Sequence, residues 1–257
     1  MRHFFSSALT LWKRELVRFY RDRSRVIGGL VPPIIFWVFI GTGFSGSFRP
    51  GTGEGISYMH YFFPGILTLI FLFTAVFSSI SIIEDRHEGF LQSVLVAPVS
   101  RTAVVFGKVF GSATLALIQG IPFLIIGLIF GISPEVGSIV KMMLILFGAS
   151  FSLAAIGFML AWNLDSTQGF HAVMNMFLIP MWLLSGALFP KSGVPSWLDW
   201  LVTVNPLTYT VSALQQVLFL PGTFEGLPSP GLCAVVNVAF CLVTFGMAVI
   251  VSQKGEK

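Results

Sequence analysis

Apolar residues in this chain fall into six long runs, at about 26–44, 60–83, 103–131, 139–162, 169–189 and 232–251. About 20 apolar residues cross the ~30 Å hydrocarbon core of a bilayer, so each run predicts a transmembrane helix. Pro32-Pro33 and Gly120-Ile121-Pro122 lie inside two of them. Membrane helices tolerate such breakers when neighbours satisfy the freed carbonyls, so a kink is expected at the first and a tilt or a kink at the second.

The segments between and before the runs carry their own patterns. Over 4–23, Phe5, Ala8, Leu9, Trp12, Leu16, Phe19 and Tyr20 recur at helical spacing. Arg14, Arg18, Arg21 and Arg25 fall on another face, the pattern of an amphipathic helix lying along a membrane surface. Between the second and third runs, 84–101 reads EDRHEGFLQSVLVAPVSR. Glu84, Asp85, Arg86 and Glu88 crowd its start, where carboxylates suit the positive end of a helix. Phe90, Leu91, Val94 and Leu95 then form a short apolar stripe, and Pro98 ends it. Such a stripe needs cover, either a groove in a partner or the membrane surface. The connection 190–230 is not a plain loop. It contains an amphipathic piece with Trp197 and Trp200, then an apolar piece after Asn205-Pro206. Both are too short to span, so two re-entrant or surface helices hinged at Asn205-Pro206 are expected.

Composition supports this picture and adds an orientation. The chain of 257 residues is 55% apolar and only 10% charged, with a mean hydropathy of +0.87, against roughly 25% charge in soluble domains. Six spans put both termini on one side. That side holds 12 of the 15 basic residues, from Arg2 and the cluster Lys13, Arg14, Arg18, Arg21, Arg23 and Arg25 to Arg86, Arg101, Lys108, Lys254 and Lys257. Arg49, Lys141 and Lys191 are left for the other. The positive-inside bias therefore places both termini and the 84–101 stretch in the cytoplasm. The basic cluster suits anionic headgroups and not nucleic acid, since no soluble domain presents it. Cys233 and Cys241 lie eight apart in one run, about 12 Å along a helix, too far for a disulfide. No cleavable signal peptide is visible.

Candidate chemistry is sparse. No GxxxxGK[ST] phosphate loop occurs, and the G-T-G-E-G of the first outer loop follows no strand. His3, His60, His87 and His171 are scattered, and no Ser/His/Asp set is recognisable. The spans lack ionisable groups near their midpoints, whereas ion-coupled carriers usually need them. A polytopic protein thus remains, without an energy source of its own.

The order of motifs resembles the ABC-2 family of exporter permeases. It carries Glu84, then Glu88-Gly89, Val94-Leu95, Pro98-Val99-Ser100-Arg101 and Gly107-Lys108, in the family's order. Asn205-Pro206-Leu207-Thr208-Tyr209 resembles the family's Asn-Pro-x-x-Tyr before the last span, and Tyr58 through Pro64-Gly65 its approach to the second. The resemblance implies an all-α polytopic fold in one domain over 1–257. Residues 1–25 would be a cytoplasmic amphipathic helix, 26–251 six spans with short external re-entrant helices before the last, and 252–257 a cytoplasmic tail. It also implies that Glu84, Asp85, Arg86, Glu88, Gly89, Phe90, Leu91, Val94, Leu95, Pro98 and Arg101 form a coupling helix docked on a separate ATPase. Trp12, Arg14, Arg18 and Arg21 would brace that contact, and Asn205, Pro206 and Tyr209 would hinge an outer gate.

The expected assembly is a homodimer of permease subunits above two ATPase subunits, in a bacterial plasma or inner membrane and in contact with its lipids. ATP and magnesium would sit on the partner; this chain, not an enzyme, would carry no cofactor. Its cargo would be a lipophilic or amphiphilic drug or lipid. A lipid-linked polysaccharide is the alternative within the family, and an ion-coupled secondary transporter the alternative outside it.

Overall fold

In hydrocarbon a backbone must satisfy its own polar groups, which an apolar run does by closing into a helix. The computed structural model describes residues 2–46, 57–191, 194–219, 224 and 226–254, with side chains at all of these except 2, 3, 24 and 25. The G-T-G-E-G loop with Arg49, the end of the tail with Lys257, and the side chains of Arg2, His3 and Arg25 lie outside the described residues.

The order of helices is α1 Arg2–Arg21, α2 Arg23–Gly43, α3 Tyr58–Phe77, α4 Ile80–His87, α5 Phe90–Val96, α6 Arg101–Ile129, α7 Val136–Asn163 and α8 Thr167–Trp182. A π-helical turn over Leu183–Ala187 follows, then α9 Ser196–Val204, α10 Pro206–Leu218 and α11 Pro230–Gln253. Six stretches are long and apolar enough to cross a membrane, and they coincide with the six apolar runs to within a few residues. Both α2 and α6 run on as single helices through their prolines. Helix breaks fall in the second span, at Ser78-Ser79 between α3 and α4, and in the fifth, at Gly186 with its φ of 80°. The Ser78 hydroxyl donates to the Ala75 carbonyl at 2.8 Å, the local competition by which serine loosens a helix.

α3 is the hub. It packs against α2, α6, α7 and α10, and 89% of its most apolar window is buried, against 17% for α2 and 11% for α11. Around it lie aromatic rings: Trp37 meets Phe63, Phe123 and Phe130 at centroid separations of 5.8, 5.2 and 5.2 Å, within the favoured range for aromatic pairs. The start of α3 is tied to the π-helical turn, since Tyr58 and Tyr61 donate to the Leu188 and Gly186 carbonyls at 2.9 and 2.7 Å. Trp182 donates back to the Gly65 carbonyl at 2.7 Å.

The 190–230 connection does contain two helices meeting at Asn205-Pro206, but they behave differently. α9 leaves Trp197 and Trp200 exposed, whereas Leu207, Val211 and Leu214 of α10 are buried against α3, α7 and α11. Asn205 joins them tightly. Its Oδ1 accepts from the Leu207 amide at 3.0 Å as a helix cap, and its Nδ2 donates to the Met181 carbonyl at 2.6 Å. Thr208 adds a bond to the Val202 carbonyl at 2.6 Å, and Tyr209 one to the Thr203 carbonyl at 3.0 Å. Asn205→Ala removes a cap and orphans a carbonyl, so we expect a loss of about 2 kcal/mol, read as a lowered unfolding temperature in detergent.

Candidate functional site

Helical spacing gives α1 three faces. Ala8, Leu11, Glu15 and Phe19 recur three or four apart and are all buried. Phe5, Leu9 and Tyr20 are apolar and exposed. Lys13, Arg14, Arg18 and Arg21 occupy the third. The buried face meets α6 at Gly107 and Gly111, which lie four apart. A Cβ on Gly107 would stand 2.8 Å from the Ala8 carbonyl oxygen, and one on Gly111 3.1 Å from the Glu15 Cβ. Small residues at this spacing let two helices approach closely.

That approach delivers Glu15 to the beginning of α6, where Lys108 waits. The Lys108 ammonium donates to Glu15 Oε1 at 2.5 Å and to the Ser81 hydroxyl at 3.2 Å, and it pairs with Asp85. Ser81 in turn donates to Glu15 Oε2 at 2.8 Å. Arg14 grips Asp85 with two bonds of 2.8 and 2.6 Å. Arg18 donates to Asp85 Oδ1 and to Glu84 Oε2, both at 2.7 Å. Glu88 lies 3.7 Å from Arg18. Lys108, Glu15 and Asp85 are only 4%, 4% and 0% exposed. Burial pulls the Arg14 guanidinium down, but the bond to Asp85 and its charge outweigh this and hold it above the usual arginine range. Desolvating an ion costs several kcal/mol, offset only when the geometry is good and the remaining polar atoms are bonded. The cluster meets that condition: Lys108, Arg14 and Arg18 face Glu15, Asp85 and Glu84.

The next residue on α4 turns the other way. Arg86 donates to the Trp162 and Leu164 carbonyls at 2.6 and 3.0 Å and to Asp165 at 3.1 Å. It thereby caps the end of α7 with a cation, as the helix dipole favours. His87 Nε2 lies 2.9 Å from the Asp165 carbonyl. The short α4 thus ties α1 and α6 on one side to the α7–α8 link on the other.

Gly89 then takes a left-handed φ of 74°, accessible to glycine at no steric cost, and this turn launches α5. The stripe on α5 is covered by the chain itself. Phe90 lies under Arg14, whose Cζ is 3.7 Å from the ring centroid, a cation–π contact. Leu91 is buried, and Leu95 packs partly on the core. Val94 is half-buried, while Gln92, Val96 and Pro98 face outward. Val96, at 89% exposure, is the large apolar side chain this helix offers. Arg101 opens α6, beside the Ser100 cap, with its Cζ 5.9 Å over the Trp162 ring.

The cluster therefore brings together Glu84, Asp85, Arg14, Arg18, Glu88 and Phe90. Trp12 reaches α6 separately, through a bond to Thr114 at 3.1 Å. Arg21 is exposed, and Asn205, Pro206 and Tyr209 belong to the α9–α10 corner. Glu15, Ser81 and Lys108 escaped the sequence reading as site residues, although signals existed. Glu15 is an acid on the apolar face of a basic helix, and Gly107 and Gly111 bracket Lys108 with small-residue spacing. Among the described residues no group of acidic, histidine or cysteine side chains is arranged to hold a metal ion.

Residues 7–219 match the family model for the ABC-2 type transporter. The chain belongs to the ABC-2 type transporter family. It is 30% identical over 215 residues to ycf38 of Cyanophora paradoxa, which carries a provisional transport-permease name, covering 82% of this chain and 74% of that one. The inner membrane transport permease YadH of Escherichia coli K12 is 27% identical over 256 residues, 96% of both chains. The daunorubicin resistance ABC transporter permease protein DrrB1 of Streptomyces coeruleorubidus is 22% identical over 215 residues, 83% of this chain and 75% of its own. As a member of this family the chain is a transport permease of the membrane, not an enzyme.

Lys108→Met leaves Glu15 short of its cation and Asp85 with the two arginines alone. We expect a loss of about 3–5 kcal/mol, measured by thermal unfolding in detergent. Adding Glu15→Gln to that variant should restore part of it, because the buried carboxylate left without Lys108 is then neutral.

Proposed function

We propose that this chain is the membrane-spanning subunit of an ATP-driven exporter, paired with a second permease chain and powered by two copies of a separate cytoplasmic ATPase. The observation that carries the reading is the α4–α5 segment, held rigidly to α1, α6 and the α7–α8 link by bonds of buried charge. A push on such a segment moves three parts of the membrane bundle together, because the clustered ions cannot separate without stranding a charge. The basic residues around it favour a cytoplasmic position, with both termini on the same side. Closure of the ATPases around ATP would drive α5 and α1, tilt the spans and alternate access between the faces. The Asn205 corner would then move as a unit with α10 at the outer end.

Apolar, aromatic spans suit a lipophilic or amphiphilic cargo, and the drug-resistance name of one relative agrees with this. The charges buried in this chain compensate one another at one end of the bundle, so they favour a coupling role over an ion-coupled carrier. A bacterial inner membrane is the setting named for another relative.

An ATPase with a phosphate loop, co-expressed with this chain, should co-purify with it and turn over ATP faster in the complex. The contact should run through the outward face of α5. Val96→Asp places a carboxylate on the exposed side of α5, so association should weaken about tenfold. Phe90→Asp acts differently, through lost packing beneath Arg14, and should lower the unfolding temperature first. ATP turnover that stays at the level of the ATPase alone, with no association on pull-down, would sink this reading.

A further inference from the structure

The third face of α1 has a use that the ion cluster leaves open. An open groove of about 490 Å³ runs between α1 and the α4–α5 turn. Lys13, Arg14, Val17, Arg18 and Arg21 of α1 line it together with Glu88, and Lys13, Val17 and Arg21 recur four residues apart in one row. Arg14 and Arg18 are committed to Asp85 and Glu84. Lys13 and Arg21 are exposed, and among the described residues neither has an acidic partner. The groove is therefore a strongly cationic surface with a single carboxylate facing it.

The same row continues, at the same four-residue step, into Leu9 and Phe5, which are 61% and 67% exposed. Tyr20, 60% exposed, flanks it. Apolar side chains without cover thus run directly into unpaired cations along one helix. Arg21 ends α1 five residues before the first candidate span opens at Val26, so a cation there lies close in sequence to where that span would enter hydrocarbon. A ligand suited to the whole surface has acyl chains for Phe5, Leu9 and Tyr20 and a phosphate for Lys13 and Arg21. An acidic protein segment would use the cations and leave the apolar wall bare.

We propose that this groove binds the phosphate of anionic phospholipid, with Lys13 and Arg21 as its ligands and the exposed apolar row of α1 against the acyl chains. Val17 sits between the two cations and keeps the wall apolar where the glycerol backbone would lie. Glu88 disfavours a second anion beside it, which leaves the row of Lys13 and Arg21 as the site.

Native mass spectrometry of the detergent-purified permease reads the site directly and does not involve an ATPase, so its failure is separable from that of the coupling role. Phosphatidylglycerol should be retained, and phosphatidylcholine should not. At about 1 kcal/mol for each basic residue near an anionic surface, the double variant Lys13→Gln/Arg21→Gln should bind phosphatidylglycerol about thirtyfold more weakly. Both side chains are exposed, so the unfolding temperature should not move, and Lys13→Arg should retain binding. Soluble glycerol phosphate should fail to compete; equal competition would make this a free-phosphate site and overturn the lipid source. Retention that is unchanged in the double variant, or equal for both lipids, overturns the site. Lys13→Glu/Arg21→Glu abolishing ATPase association in lipid-free detergent, with lipid retention unaltered, would assign the groove to an acidic protein surface instead.

Discussion

Asp85 is a fully buried carboxylate at the end of the most deeply packed span, and much of this end of the molecule follows from satisfying it. Three cations reach it: Arg14 and Arg18 from α1, and Lys108 from α6. Lys108 needs a second anion, which Glu15 supplies, and Glu15 can arrive only because Gly107 and Gly111 let α1 lie close on α6. Each requirement creates the next. A charge in such a place is expensive alone and tolerable only in a complete set. The amphipathic helix that would otherwise float on a membrane surface is thereby fastened to the spans.

The fastening is one-sided in a useful way. α4 spends Asp85 on α1 and α6 and spends the adjacent Arg86 on the end of α7. Two neighbouring residues on a helix point about 100° apart, so opposite charges at successive positions collect different partners. Meanwhile α2 and α11 leave most of their apolar surface uncovered within one chain. Lipid or a second copy can occupy that surface, and neither needs polar bonds. Both helices are nonetheless packed on the bundle, α2 against α3 and α11 against α7 and α10.

Much of this was legible in the residues. Span number and position follow from run length, and the run boundaries agree with the helices to within a few residues. The Ser78-Ser79 joint was written in the sequence too, but a serine pair inside an apolar run is weak against the hydropathy around it. The prolines were as plain to see. In α2 and α6 the helix continues through them, because a membrane helix can satisfy freed carbonyls in ways that the chain order does not display. The apolar stripe of α5 was visible as a pattern, yet its direction was not. Periodicity states which residues share a face, and says nothing of whether that face turns toward a partner or toward the chain's own core.

By itself, then, the sequence determined the family, the helical class and the six candidate spans, since these rest on local run length and on motifs read in order. It also placed Glu84 and Asp85 at the end of a span. Only the tertiary structure decided that Glu15 meets Lys108 from 93 positions away, that Phe90 lies beneath Arg14, and that Val96 faces outward. Hydrophobic length is a sum over neighbours along the chain. The pairing of buried charges depends on which helices touch, and at what distance, and that is settled only when the whole bundle is packed.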